Sequence, residues 1–400
     1  MYRVNYDHLE KFKQVSRQMG SNANALWSND AFKYVPSFLP SYFAAWGRVT
    51  ERAFSKTSEK PEWKFDKTST NLEVSYTTVF ESPFCNLLKF SSKLNTRPKN
   101  KILLIAPMSG HYATLVKKTV YSLVDENEVF VTDWINPRDI PLKEGKFDIE
   151  DYISLLVAFY RILSPKLHVF AVCQPAPLSL VATALVYKKQ PEIIPLSLTL
   201  LGGPIAPDAA PTAVSNFSKH IDDDVIRFNL SAEVSDKFQG CGRQVYPGIF
   251  QLSSFMSMNA KNHISSFSKQ IFNEVRGKKN EINKHNKFYD EYLAVMDMTR
   301  EFFSTTIKCI YNEKQIEKNT FFFHGEQVDL TIIDKTPIFV IEGENDDIAA
   351  PGQCSAVFSV LKNLNSELKN HHIQIDAGHY GIFSGKVWEN NIKPKFLNFM

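Results

Sequence analysis

The chain has few cysteines and no pattern among them. Cys85, Cys173, Cys241, Cys309 and Cys354 are odd in number, far apart and free of C-x-x-C spacing. That argues against a disulfide framework and a zinc site, and it makes a cytoplasmic protein the expectation. The opening residues, M-Y-R-V-N-Y-D-H-L-E-K, lack an apolar h-region, so no secretory signal is expected. Net charge is only +3 over 400 residues. The Lys and Arg residues are scattered rather than gathered into a stripe, so no nucleic-acid partner is expected. No Walker A run, no G-x-G-x-x-G opening a helix and no H-E-x-x-H occurs, and neither a cofactor nor a metal is implied. His371 and His372 are neighbours on a predicted strand and so face opposite sides, which is poor geometry for a shared metal. Internal repeats and low-complexity tracts are also missing.

The stretch that most resembles a membrane span runs from Leu167 to about Tyr187. It contains two prolines, a histidine and a glutamine, which fits a buried strand followed by a core helix better, and no membrane span is expected. Phenylalanine, by contrast, is abundant, with 31 residues. An aromatic core is the plain reading. The sharper one is an apolar face for a greasy substrate or surface.

Hydropathy patterning divides the chain. Residues 1–75 read as a polar, helical N-terminal extension, with an aromatic cluster from Tyr34 to Gly47 whose prolines interrupt the helical spacing. The segment S-T-N-L-E-V-S-Y-T-T-V-F-E-S-P-F-C-N-L-L-K-F alternates as a β-hairpin does. Apolar strands follow at K-I-L-L-I-A-P, E-V-F-V-T-D-W, L-H-V-F-A-V-C and L-S-L-T-L-L-G-G-P, separated by helix-like stretches. That alternation predicts a mostly parallel sheet flanked by helices on both faces, an α/β class. It stops near Pro204 and returns with T-P-I-F-V-I-E-G and H-H-I-Q-I-D-A-G. Residues 76–204 and 334–400 therefore read as one core, and 205–333 as an inserted lid.

A reactive group at a strand-to-helix corner stands out. L-H-V-F-A-V ends at Cys173 and is followed by a helix-like run that opens with Pro175 and Pro177, where a missing N–H costs little. The corner lifts the side chain out of the sheet, as a nucleophile elbow does. Nucleophilic catalysis then needs a base and an acid, and α/β-hydrolases supply them later in the chain, acid before histidine. Asp346 follows one strand by a short polar loop, with its neighbour Asp347 as the competing acid. His379 follows the next strand, in G-H-Y-G. Each lies just past the C-terminal end of its strand, where open α/β sheets place their sites. The oxyanion would be held by the Gln174 N–H and a second N–H from the loop A-P-M-S-G-H-Y-A, with Met108 first and Ser109 second. His111 could face the site or be structural. The elbow departs from G-x-S-x-G, having Ala171 and Pro175 where glycines would stand.

The chain resembles the intracellular poly(3-hydroxybutyrate) depolymerases of bacteria over nearly its whole length. The similarity is carried by A-P-M-S-G-H-Y-A-T-L, V-F-V-T-D-W-I-N, A-V-C-Q-P, L-G-G-P-I, P-T-A-V, V-Y-P-G-I-F-Q, K-F-Y-D-E-Y-L-A-V-M-D-M, E-G-E-N-D-D-I and G-H-Y-G-I-F-S-G. It implies an α/β-hydrolase fold with Cys173 as nucleophile, Asp346 as acid and His379 as base. It also implies action on amorphous polyester in cytoplasmic granules, releasing hydroxyacyl oligomers or monomers, with coenzyme A a possible acyl acceptor in place of water. C-Q-P stands where the related polyester synthases have G-x-C-x-G, which argues against polymerisation. A granule-coat or lipid-binding protein that kept the fold and lost its chemistry is the rival from another class.

Overall fold

The computed structural model describes residues 4–32, 38–57, 59–64, 73–93 and 97–400. Its centre is an eight-stranded sheet: β1 (Val74–Glu81), β2 (Cys85–Ser92), β3 (Lys101–Ile105), β4 (Glu128–Trp134), β5 (Leu167–Val172), β6 (Ser197–Leu201), β7 (Ile338–Gly343) and β8 (Lys369–Gln374). The spatial order is β1-β2-β4-β3-β5-β6-β7-β8. β1 and β2 form the expected antiparallel hairpin, and β2 runs antiparallel to β4. From β4 to β8 every pairing is parallel. This is the α/β-hydrolase fold.

The sequence explains the layout. β5, β6 and β7 are buried at every position because helices cover both faces, hence their largely apolar runs. Of the edge strands, β1 is mostly exposed and mixes polar with apolar residues, and β8 is half exposed and mostly polar. The crossover helices are α3 (Lys117–Leu123), α4 (Ile149–Leu163) and α5 (Pro175–Lys189). α4 opens with a reciprocal capping box between Asp148 and Asp151. In α5 all residues from Pro175 to Val186 are buried, so it is a core helix with no polar face.

Two long helices precede the sheet, α1 (Tyr6–Trp27) and α2 (Phe38–Lys56). The second contains Pro40 in its first turn, so that proline starts a helix rather than interrupting one. Residues 34–37, the front of the aromatic cluster, lie outside the described residues.

Between β6 and β7 the chain leaves the sheet for more than a hundred residues. This stretch contributes α6 (Gly248–Met258), α7 (Ala260–Val275) and α8 (Lys279–Tyr292), together with a small second sheet. That sheet contains an element the sequence did not announce. Val4–Asn5 pairs in parallel with Ala232–Glu233, so the N-terminal segment is stitched to the insert. Next to it, Tyr6 donates from its hydroxyl to Asp297 Oδ2 at 2.6 Å, and Asp297 Oδ1 accepts the Gly248 N–H at 2.9 Å. Among the described residues no helix is long and apolar enough to cross a membrane.

Candidate active site

β5 ends at Val172, and Cys173 takes a left-handed backbone, φ 66°. A non-glycine residue there is strained by on the order of 1–2 kcal/mol, a cost tolerated when the surroundings impose it. They do: the Cys173 N–H donates to Leu201 O at 2.7 Å, and its carbonyl accepts from Ala176 N at 2.9 Å. The turn fits only because its neighbours are small. A Cβ placed on Gly203 would sit 2.2 Å from Ala176 Cβ and 3.0 Å from the Cys173 oxygen. Cys173 is 8 % exposed.

Asp346 and His379 reach the same corner from the ends of β7 and β8. His379 Nδ1 and Asp346 Oδ2 are 2.7 Å apart in a buried pair. Asp346 Oδ1 accepts the N–H groups of Ile348 and Ala349, both at 2.9 Å, which fixes the carboxylate. Asp347, the competing acid, is exposed. Gly202, at φ 50°, lies against the pair: a Cβ there would come 3.1 Å from Asp346 Oδ2 and 3.2 Å from His379 Cε1. Burial pushes the His379 imidazole down. The Asp346 carboxylate and the nearby Cys173 sulfur outweigh burial and hold it well above the ordinary histidine value.

The acid's loop has a support that sequence reading did not find. Glu342 is fully buried in β7 and accepts from Gly352 N (2.9 Å), Cys354 N (2.9 Å) and Ser355 N (3.1 Å) through Oε1. Its Oε2 is 2.8 Å from His371 Nε2. The adjacent His372 instead contacts Gln374. The only advance signal was an acid inside an otherwise apolar strand, E in P-I-F-V-I-E-G. Among the described residues no group of three or more His, Cys, Asp or Glu side chains is gathered as a metal would need.

The loop after β3 lies across from the elbow. The Met108 N–H is engaged: it donates to Gln174 Oε1 at 3.0 Å. Met108 is fully buried, whereas Ser109 and Gln174 line the cavity. His111 also lines it, but its Nε2 is 3.0 Å from the Tyr292 carbonyl, and its ring stacks on Phe255. Burial pushes His111 down to about 4, the Tyr292 carbonyl only partly offsetting it, so it is neutral near pH 7.

Above Cys173 and His379 is a cavity of about 380 Å³. The segment between β6 and β7 supplies much of its wall, including Phe217, Phe255, Met258, Phe303 and Tyr311. A thiol beside an imidazole–carboxylate pair, at the floor of an aromatic chamber, has the parts for acyl transfer.

Residues 202–400 match the family model described as PHB de-polymerase C-terminus. Asp346 and His379 lie inside that match, and Cys173 lies before it. No curated protein matches the chain. Among solved structures, it is similar to a thermophilic esterase from Thermogutta terrifontis (14% identity, 81% of this chain and 95% of that one, TM-score 0.40). It is similar as well to a monoacylglycerol lipase of Paleococcus ferrophilus (11% identity, 79% and 97%, TM-score 0.43). A third is 2-hydroxy-6-oxo-6-phenylhexa-2,4-dienoate hydrolase from Rhodococcus sp. strain RHA1 (10% identity, 82% and 99%, TM-score 0.45). A depolymerase of a polyester is an ester hydrolase, and that is the enzyme class to which the family match assigns the chain. On its α/β-hydrolase fold, the chain thus carries, over residues 202–400, the domain of the family described as PHB de-polymerase C-terminus.

Proposed function

We propose that this protein cleaves the ester bonds of poly(3-hydroxybutyrate) held in cytoplasmic granules, with Cys173 as nucleophile, His379 as base and Asp346 as the acid that orients it. The observation that carries the proposal is the 2.7 Å Asp346–His379 pair beside a cysteine in a left-handed turn, all at the floor of an aromatic cavity. The family match supplies the polymer.

Cys173 gives its proton to His379, which the Asp346 carboxylate and the sulfur itself hold in the charged form, and the sulfur then attacks the ester carbonyl. The Gln174 and Met108 N–H groups hold the resulting oxyanion. In the resting site the Gln174 carboxamide oxygen stands at the Met108 N–H, and the substrate oxygen displaces it. The C–O bond then breaks, and His379 passes its proton to the departing alkoxide, leaving a thioester. Water gives His379 a proton as it attacks the thioester carbonyl, and the thiolate leaves with that proton restored. A thiol such as coenzyme A can take the place of water, because thioesters exchange readily with thiols. Product analysis on granules with and without coenzyme A identifies the acceptor.

Exposed apolar side chains on the two N-terminal helices favour contact with a greasy surface. Phe12, Val15, Met19 and Leu26 share one side of the first helix, and Leu39, Phe43 and Trp46 one side of the second.

The test is Cys173→Ala on amorphous granules. The expected result is a folded protein with ester cleavage reduced by at least about 10³-fold. Wild-type rates in that variant would end the proposal.

A further inference from the structure

A second cavity, of about 850 Å³, adjoins the first. The two share Leu115, Tyr380 and Phe383, so the residue next to His379 stands in both walls. Five lysines and three carboxylates border the second cavity. Each carboxylate already has a cation. Arg52, which lies outside the lining, grips Asp290 through Nε–Oδ1 at 2.9 Å and a second contact at 2.5 Å. Glu291 pairs with Lys117, and Glu389 with Lys393 at 3.5 Å, the latter again outside the lining. Lys118 and Lys386 are exposed and make no ion pair among the described residues. The cavity therefore presents uncompensated positive charge next to the His379 side of the site.

The direction of the polymer says what would use that charge. A linear hydroxyacyl ester has a hydroxyl end and a carboxylate end. When one ester bond breaks, the acyl fragment on Cys173 keeps the hydroxyl end, and the departing alcohol fragment carries the carboxylate end. His379 protonates that alcohol oxygen, so the carboxylate-bearing fragment leaves on the His379 side, toward the wall formed by Tyr380 and Phe383.

We infer that the lysine-bordered cavity receives the terminal carboxylate of the alcohol fragment, so that the enzyme favours scission near the carboxyl end and acts best on carboxylate-ended oligoesters. This rests on the polyester reading above and adds the end of the chain that is recognised.

The probes are a linear 3-hydroxybutyrate trimer as the free acid and as its methyl ester. Two exposed lysines contribute modestly each, so kcat/KM for the acid is expected to exceed that for the methyl ester by about tenfold at low salt. Added salt erodes the ratio. In the Lys118→Ala/Lys386→Ala double variant the ratio falls toward one, and with Lys118→Glu/Lys386→Glu it inverts. Equal use of both trimers by the wild type, or a ratio that survives the double variants, overturns the inference. Hydrolysis of the methyl ester by the wild type keeps the ester-cleavage reading intact in that event, so the two can fail separately.

Discussion

Replacing Gly203 by alanine tests whether the elbow depends on the close approach of strand turn and helix. The new Cβ would lie 2.2 Å from Ala176 Cβ and 3.0 Å from the Cys173 oxygen. Carbon atoms settle at about 3.5–4.0 Å, so the turn after β6 and the start of α5 must part by about 1.5 Å. Cys173 lies on that seam. A misplacement of about 1 Å at a reacting group costs about 10²-fold in rate, and overpacking of this kind costs about 1–3 kcal/mol in stability. Gly203→Ala is therefore expected to lower kcat at least about 10²-fold on a soluble chromogenic ester, with a lower thermal midpoint by circular dichroism. Ala176→Gly in the same chain removes the nearest clash and leaves the 3.0 Å contact with the Cys173 oxygen. It should restore about tenfold of the rate despite the roughly 1 kcal/mol that a helical glycine costs. A Gly203→Ala enzyme with wild-type kcat, or one that the second substitution does not improve, would refute the argument.

Asp346→Asn is expected to lower kcat by about 10³–10⁴-fold, since the amide can present the wrong partner to His379 Nδ1, while Asp347→Asn, at an exposed position, changes it less than about threefold; steady-state kinetics on both variants decides between the two acids. His111 contributes to acid sensitivity. Its folded-state pKa, about 4, lies below its ordinary 6.5, so its contribution is present above pH 6.5 and is lost as pH falls toward 4. The wild type should lose roughly 3 kcal/mol more than His111→Phe between pH 7 and pH 4 in urea unfolding, and parallel curves would contradict the assignment.

The parts of this molecule that the sequence discloses are those set by local pattern. The largely apolar runs of β5, β6 and β7 announce strands covered on both faces, and the polar edge of β8 still keeps enough alternation to be found. Cys173, Asp346 and His379 are legible as candidates because each follows such a strand, and the structure brings all three to one corner. Other features depend on contacts between distant segments, which no local pattern encodes. The pairing of Val4–Asn5 with Ala232–Glu233 spans more than two hundred residues and uses only two positions of each strand. The engagement of the Met108 N–H by the Gln174 side chain is a matter of rotamer, not of spacing. Glu342 reads as an oddity in a strand until the turn holding Gly352, Cys354 and Ser355 is seen folded back over it. The small size of Gly203 acquires meaning only when Ala176 is placed opposite.

The grip of Tyr6 on Asp297, and of Asp297 on the first residue of α6, links the two extremes of the chamber's construction. α6 provides part of the ceiling over the thiol, so the opening residues act as a tie-rod for the roof. Loss of the Tyr6 hydroxyl would slacken the ceiling long before it disturbed the sheet.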